Sequence, residues 1–241
     1  MTGQLLAAAD GLGAGAGGPA STGLVVMAGV VAFAIVAVAW ALVEVGVIIA
    51  HEGGHALMGS AVGGKVGHII IRRTGGETNV PLKDPVKQFV VGLAGYLGPP
   101  VFGVGGAMLL STGRVRPLLW LSLFLLVCAL VMAEGWRSAV WIVVTGALFL
   151  LVIRYAGEGG QTFFAYTWIW YLLFGGIRSV VMLAQIHADS PKAATDAGRL
   201  RQLSLLPAKL FVGFFGLVSF AALVAGGLIL VGAIGPGSLA S

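Results

Sequence analysis

Residues 24–61 decide the fold of this chain, and they read LVVMAGVVAFAIVAVAWALVEVGVIIAHEGGHALMGSA. The stretch is apolar almost throughout, and it is longer than the roughly 20 residues that cross a bilayer core of about 30 Å. It therefore predicts either one tilted or kinked helix or two helical pieces, and both alternatives stay open. Two histidines and a glutamate stand near its end, in His51-Glu52-Gly53-Gly54-His55.

The apolar character continues along the whole chain. Of 241 residues, 58% are hydrophobic and only 10% are charged, and the mean hydropathy is +1.00. Soluble domains carry about 25% charged residues, so this composition excludes an ordinary soluble protein. Further apolar runs lie at 88–111, 117–133, 138–153, 164–184 and 209–234. We predict an all-α polytopic membrane protein with about six transmembrane helices, in a single domain over residues 24–234.

The segments outside the apolar runs complete this organisation. Residues 1–23 are rich in Gly, Ala and Ser and lack the basic region of a secretory signal, so we expect a disordered tail there. Residues 235–241 are expected to form a second, short tail. Between the first two spans, a β-branched run at 68–71 is followed by the turn signal Gly75-Gly76. This pattern predicts a small β-hairpin near the membrane interface, with its edges paired or shielded by protein.

Lys and Arg are distributed unevenly between the loops. Ten lie in loops that would share one side of the membrane, namely Lys65, Arg72, Arg73, Lys83, Lys87, Arg137, Lys192, Arg199, Arg201 and Lys209. The opposite side carries three, and Arg178 lies within a span. The positive-inside rule places the richer side in the cytoplasm. The net charge of +5 is therefore a topology signal, and no nucleic-acid or nucleotide-binding motif accompanies it.

The motif at residues 51–55 has the H-E-x-x-H spacing of a zinc site. Residues four apart share one face of a helix, so both imidazoles can reach one ion. Glu52 is rotated by about 100° from His51, close enough to act on a water without being a ligand. Zinc lowers the pKa of a water that it binds to about 7. Because ionisable groups at membrane depth are costly, we interpret the motif as a functional zinc site.

Further site residues follow from position. Glu44 lies on nearly the same helical stripe as the histidines and is a candidate partner for one of them. A catalytic zinc needs a third protein ligand from the same side of the membrane, which points to the loop at 185–208. Asp196 is the preferred candidate there, with Asp189 and His187 as alternatives. We expect His68 to belong to the hairpin.

Three segments in this order resemble the site-2 protease family of intramembrane zinc metalloproteases. They are His51 to His55, the stretch Ala94-Gly95-Tyr96-Leu97-Gly98-Pro99 that opens the next span, and Thr195-Asp196-Ala197 before a late helix. The closest likeness is to a compact bacterial branch without a PDZ domain. The resemblance also implies substrate-handling roles for Gly95 and Pro99.

The resemblance also implies a function. His51, His55 and Asp196 would hold Zn²⁺, and Glu52 would be the general base of a metalloendopeptidase. Its substrates would be membrane proteins or peptides in the lipid bilayer, and it would lie in a bacterial plasma membrane with the site near the cytoplasmic side. Two alternatives remain: an inactive zinc-containing protein that binds or scaffolds a partner's transmembrane helix, and a transporter or channel.

Overall fold

The computed structural model describes residues 20–72, 75–190 and 193–234. These residues form the helices α1 (Thr22–Val38), α2 (Trp40–Ala61), α3 (Pro85–Ser111), α4 (Val115–Val131), α5 (Trp136–Tyr155), α6 (Glu158–Asp189), α7 (Asp196–Ser204) and α8 (Ala208–Leu230), and the strands β1 (Ile69–Arg72) and β2 (Gly75–Thr78). Residues 1–19 and 235–241, which hold most of the predicted first tail and all of the second, lie outside the described residues, as do Arg73 and Lys192.

The helices bear out the predicted membrane fold. Five of them, α2, α3, α5, α6 and α8, are long and apolar enough to cross a membrane, and α1 and α4 are apolar helices of 17 residues each. The predicted hairpin is also present, between α2 and α3. Its turn is not at Gly75-Gly76 as predicted, because these two glycines pair with Arg72 and Ile71 as the first residues of β2. The all-α membrane class with a small hairpin after the first helices is therefore confirmed.

The long apolar run at 24–61 forms two helices, which settles the alternative that the sequence leaves open. Ala39 separates α1 from α2, with φ of −107° and ψ of 17°. Beyond it the two helices have different neighbours. On α1, Phe33 packs edge-to-face on Phe174 of α6 at a ring-centroid distance of 5.6 Å, and the carbonyl of Val25 accepts a hydrogen bond from Trp170. Helix α2 packs mainly on α3.

Helices α2 and α3 cross in direct backbone contact. The contact is made by pairs of small residues four apart, Ala50 with Gly54 on α2 and Ala94 with Gly98 on α3. A Cβ atom on Gly98 would lie 2.5 Å from the carbonyl oxygen of Ala50, and one on Gly54 would collide with the carbonyl of Ala94. Such small-residue pairs let transmembrane helices approach closely, which replaces the hydrophobic drive that is missing in lipid.

The hairpin is anchored on its β1 side. Its strands pair antiparallel, with Ile69 opposite Thr78 and Ile71 opposite Gly76. The outer edge of β1 is covered by the α4–α5 turn, because the Ile69 N–H donates to the Met132 carbonyl at 2.8 Å and the Ile71 N–H donates to the Ser138 hydroxyl at 3.0 Å. The side chains of Ile69 and Ile71 are buried. The anchored edge fits the expectation that strand edges near a bilayer are paired or shielded.

The crossing of α2 and α3 generates a prediction for Gly98→Ala. The added methyl group has no room against the Ala50 carbonyl, so the substitution should cost about 1–3 kcal/mol and lower the thermal unfolding midpoint in detergent. Gly105→Ala on the same helix is the matched control, because a Cβ there meets nothing within 4 Å. Equal midpoints for the two variants would contradict the close crossing.

Candidate metal centre and active site

His51 and His55 face the same point from one side of α2. Their Nε2 atoms lie 3.2 Å apart, as expected for residues one helical turn apart on a shared face. Asp196, which is distant in sequence, completes the group. Its Oδ2 atom lies 3.0 Å from Nε2 of His51 and 3.2 Å from Nε2 of His55. Three potential ligand atoms therefore converge at one place.

Helix α7 delivers Asp196 to this point. The Thr195 hydroxyl caps the helix by accepting a hydrogen bond from the Gly198 N–H at 3.2 Å, and Asp196 is the first helical residue. Ala197 and Leu200 are fully buried, and Leu200 packs against Gly92 of α3. The cap fixes where α7 begins, and the two apolar residues fix which face of α7 meets α3.

The donor set fits a zinc ion. Two imidazole nitrogens and one carboxylate oxygen are ligands that zinc takes in catalytic sites, with bonds of about 2.0–2.2 Å. For bonds near 2.05 Å, tetrahedral geometry places neighbouring ligand atoms about 3.3–3.4 Å apart. The three observed separations, 3.0, 3.2 and 3.2 Å, lie just below that value. The residues present could therefore hold zinc with little adjustment.

The surroundings favour the ionised form of Asp196. Burial of its carboxyl opposes ionisation, but the charge of His55 and the hydrogen bonds of His51 and His55 outweigh burial and hold the pKa of Asp196 well below its usual range. Its position in the first turn of α7 adds a favourable interaction with the helix dipole. The carboxylate form, which a metal requires, is thus the stable form at neutral pH.

Helix α3 orients both histidines. The Val91 carbonyl accepts a hydrogen bond from Nδ1 of His55 at 2.7 Å, so loss of the other ring proton, which metal binding requires, would direct the lone pair of Nε2 at the cluster. The ring of Tyr96 packs edge-to-face on His51 at a centroid distance of 4.6 Å. Gly95 lies directly against the pair, because a Cβ there would be 2.6 Å from Nε2 of His51 and still closer to that of His55.

Glu52 lies beside the cluster with its side chain held by the hairpin. Only 3% of Glu52 is exposed, and Thr78 of β2 donates a hydrogen bond of 2.7 Å to its Oε2 atom. A cavity of about 820 Å³ is lined by Glu52, the three potential ligands and residues 75–78 of β2. Its volume is in the range of known ligand pockets. The arrangement can bring a water and a peptide next to a carboxylate base.

The other predicted site residues lie in different surroundings. Glu44 is buried and lines the same cavity. Its proposed role as a partner of a histidine stays a prediction. Pro99 is buried in α3 close to Gly176 of α6, and a substrate-handling role for Gly95 and Pro99 likewise stays a prediction. His68 pairs with Glu134 at 2.9 Å, as a hairpin residue would.

The two alternative third ligands do not join the cluster. Within residues 20–72, 75–190 and 193–234, the group of three potential ligands that converge within 4.8 Å is His51, His55 and Asp196. His187 is buried and makes a 2.7 Å hydrogen bond with the capping hydroxyl of Thr195, and Asp189 is exposed at the end of α6. His187 thus supports the segment that carries Asp196.

Sequence reasoning missed the residues that support the cluster. The Val91 carbonyl, Thr78 and the capping role of Thr195 have no catalytic motif of their own. Only Thr195 had a usable signal, since a threonine before a short polar helix is typical of an N-cap. The other two are defined by contacts between distant segments.

The geometry predicts the metal content of variants. Detergent-purified protein should bind about one zinc per chain, and His51→Ala and Asp196→Ala should each lose most of it, because each removes one of three converging ligands. Asp189→Ala is the control and should retain zinc. Metal analysis by mass spectrometry gives the answer. Full zinc retention in Asp196→Ala, or its loss in Asp189→Ala, would contradict this assignment.

Comparison with known proteins identifies the family of the chain. Residues 24–226 match the family model described as Peptidase M50B-like. Searches of curated proteins and of solved structures each gave no significant match. The match covers the hairpin, both segments of the cluster and all five long apolar helices except the end of α8, and no PDZ domain is indicated. Proteases of the M50 family are zinc metalloproteases, and this chain belongs to the Peptidase M50B-like family, the site-2 protease family of membrane metalloproteases.

Proposed function

We propose that this protein is an intramembrane zinc metalloprotease that hydrolyses peptide bonds of membrane-embedded or membrane-proximal substrates. The observation that carries the proposal is the placement of Glu52 beside the converging ligand atoms of His51, His55 and Asp196, in one cavity of a polytopic membrane domain. Family membership supports the same reaction class. The chemistry is peptide-bond hydrolysis by water.

The residues divide the work of this reaction. His51, His55 and Asp196 would hold zinc, which supplies the Lewis acidity that makes a water nucleophilic near neutral pH. Glu52 takes a proton from the attacking water and gives it to the leaving amine, and both transfers are general acid–base steps. The edge of β2 opposite its pairing with β1 would offer backbone groups to an extended peptide segment along residues 75–78 of the cavity wall. A substrate helix has to unwind before it can lie in that way.

The orientation of the site follows from the loop charges. The hairpin and the start of α7 lie at the cluster and the α4–α5 turn lies on the hairpin, and these segments with their adjoining loops carry ten of the fourteen Lys and Arg residues. The positive-inside rule therefore supports a site near the cytoplasmic side. The Arg116–Glu158 pair joins the loops at the other end of the helices, which would face the opposite compartment.

Glu52→Gln tests the reaction. The variant should lose cleavage at least about 100-fold, because the amide cannot accept the proton, while its zinc content stays unchanged. A pool of synthetic transmembrane peptides of about 25 residues is incubated with zinc-loaded protein in ¹⁸O water, and new carboxyl termini are read by mass spectrometry. Glu158→Gln, exposed at the other end of the fold, is the control.

The same experiment distinguishes the proposed protease from the alternative, an inactive zinc-containing scaffold. Cleavage retained in Glu52→Gln would contradict the proposed mechanism. Zinc bound by the wild-type protein without cleavage of any peptide would favour the inactive zinc-containing scaffold that binds a partner's transmembrane helix.

The topology has a separate test. With Cys128 replaced by alanine, a cysteine at Lys65 in the α2–β1 loop should resist a membrane-impermeant maleimide in intact cells, and a cysteine at Glu158 should react. Both positions are exposed, so burial does not confuse the result. The reverse labelling pattern would place the site on the other side of the membrane.

A further inference from the structure

Strand β2 presents two residues to the proposed base. Gly76 and Thr78 are two apart on the strand, so they point to the same face, and that face lies against Glu52 of α2. Glu77 between them points away, is exposed and pairs with Arg72. Among the described residues, β2 therefore meets the Glu52 side chain through this alternate pair.

The Thr78 hydroxyl contacts Glu52 at two oxygen atoms. Its Oγ1 atom lies 2.7 Å from Oε2 of Glu52 and 3.1 Å from the Glu52 carbonyl oxygen. A threonine hydroxyl has one proton to donate, and the shorter distance assigns it chiefly to the carboxylate. Hydrogen bonds to an ionised group are the stronger kind. One carboxylate oxygen is thus engaged, and the other, Oε1, is left for proton transfer.

Gly76 shapes the space for the same carboxylate. A Cβ atom at this position would lie 2.5 Å from Oε1, 2.6 Å from Cγ and 2.8 Å from Cδ of Glu52. Any side chain larger than hydrogen would therefore displace the carboxyl group. Together the Gly76 backbone and the Thr78 hydroxyl form a slot, and the Glu52 carboxylate occupies it.

The slot is held from outside α2. Strand β1 is hydrogen-bonded to the α4–α5 turn through Ile69 and Ile71, and β2 pairs with β1. A free glutamate side chain rotates about several bonds, and immobilising it costs conformational entropy. Because the hairpin orders Glu52 before substrate arrives, that cost does not fall on the reaction.

We propose that Thr78 and Gly76 are positioning residues that orient the Glu52 carboxylate for proton transfer, an inference that rests on the proposed function of Glu52 as the base. The role differs from substrate binding, because the Thr78 hydroxyl is directed at the enzyme's own carboxylate. It predicts an effect on kcat with little effect on KM.

The test compares Thr78→Val with Thr78→Ser. Valine has nearly the same shape without the hydroxyl, so kcat for the best-cleaved peptide of the pool should fall about 10- to 100-fold with KM within about two-fold. Serine keeps the donor and should stay within about three-fold of wild type. Gly76→Ala should lose kcat at least as strongly as Thr78→Val. Thr145→Val on α5 and Gly67→Ala before β1 are the matched controls.

A second readout does not depend on activity. Thr78→Val should lower the thermal unfolding midpoint by about 2 °C or more in the wild-type background and by less than about 1 °C in a Glu52→Ala background. The difference reports the contact between the two side chains. Zinc affinity, measured against a chelator, should stay within about two-fold of wild type, since Thr78 touches none of the ligands.

Each other outcome overturns a definite statement. A wild-type kcat in Thr78→Val, equal midpoint shifts in both backgrounds, or failure of Thr78→Ser to restore kcat contradicts the positioning role. A rise in KM alone assigns Thr78 to substrate binding, and loss of zinc assigns it to the metal centre. If Glu52→Gln itself still cleaves, or if no peptide is cleaved by the wild type, the proposed function fails first, and the positioning role fails with it.

Discussion

The metal centre depends on the backbone contact between α2 and α3. Ala50 and Gly54 meet Ala94 and Gly98 without intervening side chains, so the backbones of the two helices are in contact. In lipid, packing of this kind supplies the attraction that water supplies in soluble proteins. The contact places the Val91 carbonyl against His55 and leaves room for nothing larger than Gly95 beside the histidines. One crossing thus positions two potential ligands, His51 and His55, and the α3 residues that contact them.

Polar groups are concentrated around this crossing. Glu44, Glu52 and His55 are buried in a domain whose other interior residues are mostly apolar. Buried ionisable groups are costly unless they are paired. The Asp196 carboxylate is paired with His55 and lies at the N-terminus of α7, where the helix dipole favours a negative charge. The cluster is assembled from segments far apart in the chain, so its stability requires the complete fold. A zinc ion would bind where these groups already converge.

The hairpin connects the peripheral helices to the chemistry. Helices α4 and α5 pack on each other, and their turn holds β1, while β2 lies on the motif. Residues 132–138 therefore reach the proposed base through two strands. Through this connection the hairpin supports the Glu52 side chain of the H-E-x-x-H motif, in addition to any contact that it makes with substrate.

Much of the architecture was predictable because it depends on local pattern. Apolar runs of bilayer length specify the spans, the β-branched run at 68–71 indicates the hairpin although its turn precedes Gly75, and the H-E-x-x-H spacing puts two histidines on one helical face. The break at Ala39 was not predictable, since an alanine in an apolar run has no helix-stopping signal. The first helices separate because α1 packs on α6 and α2 packs on α3.

In the candidate site, too, some features depend on local sequence and others on tertiary contacts. The sequence by itself determined a membrane-embedded pair of histidines with a glutamate between them, since composition and spacing act within one helix. Only the tertiary structure decided that Asp196 stands with them while His187 supports Thr195, and that Thr78 and Gly76 enclose Glu52. Apart from the His187–Thr195 pair, which is 8 positions apart, those contacts join residues 24 to 145 positions apart. No local pattern encodes them, because they arise from the crossing of α2 with α3, the docking of α7 and the anchoring of the hairpin.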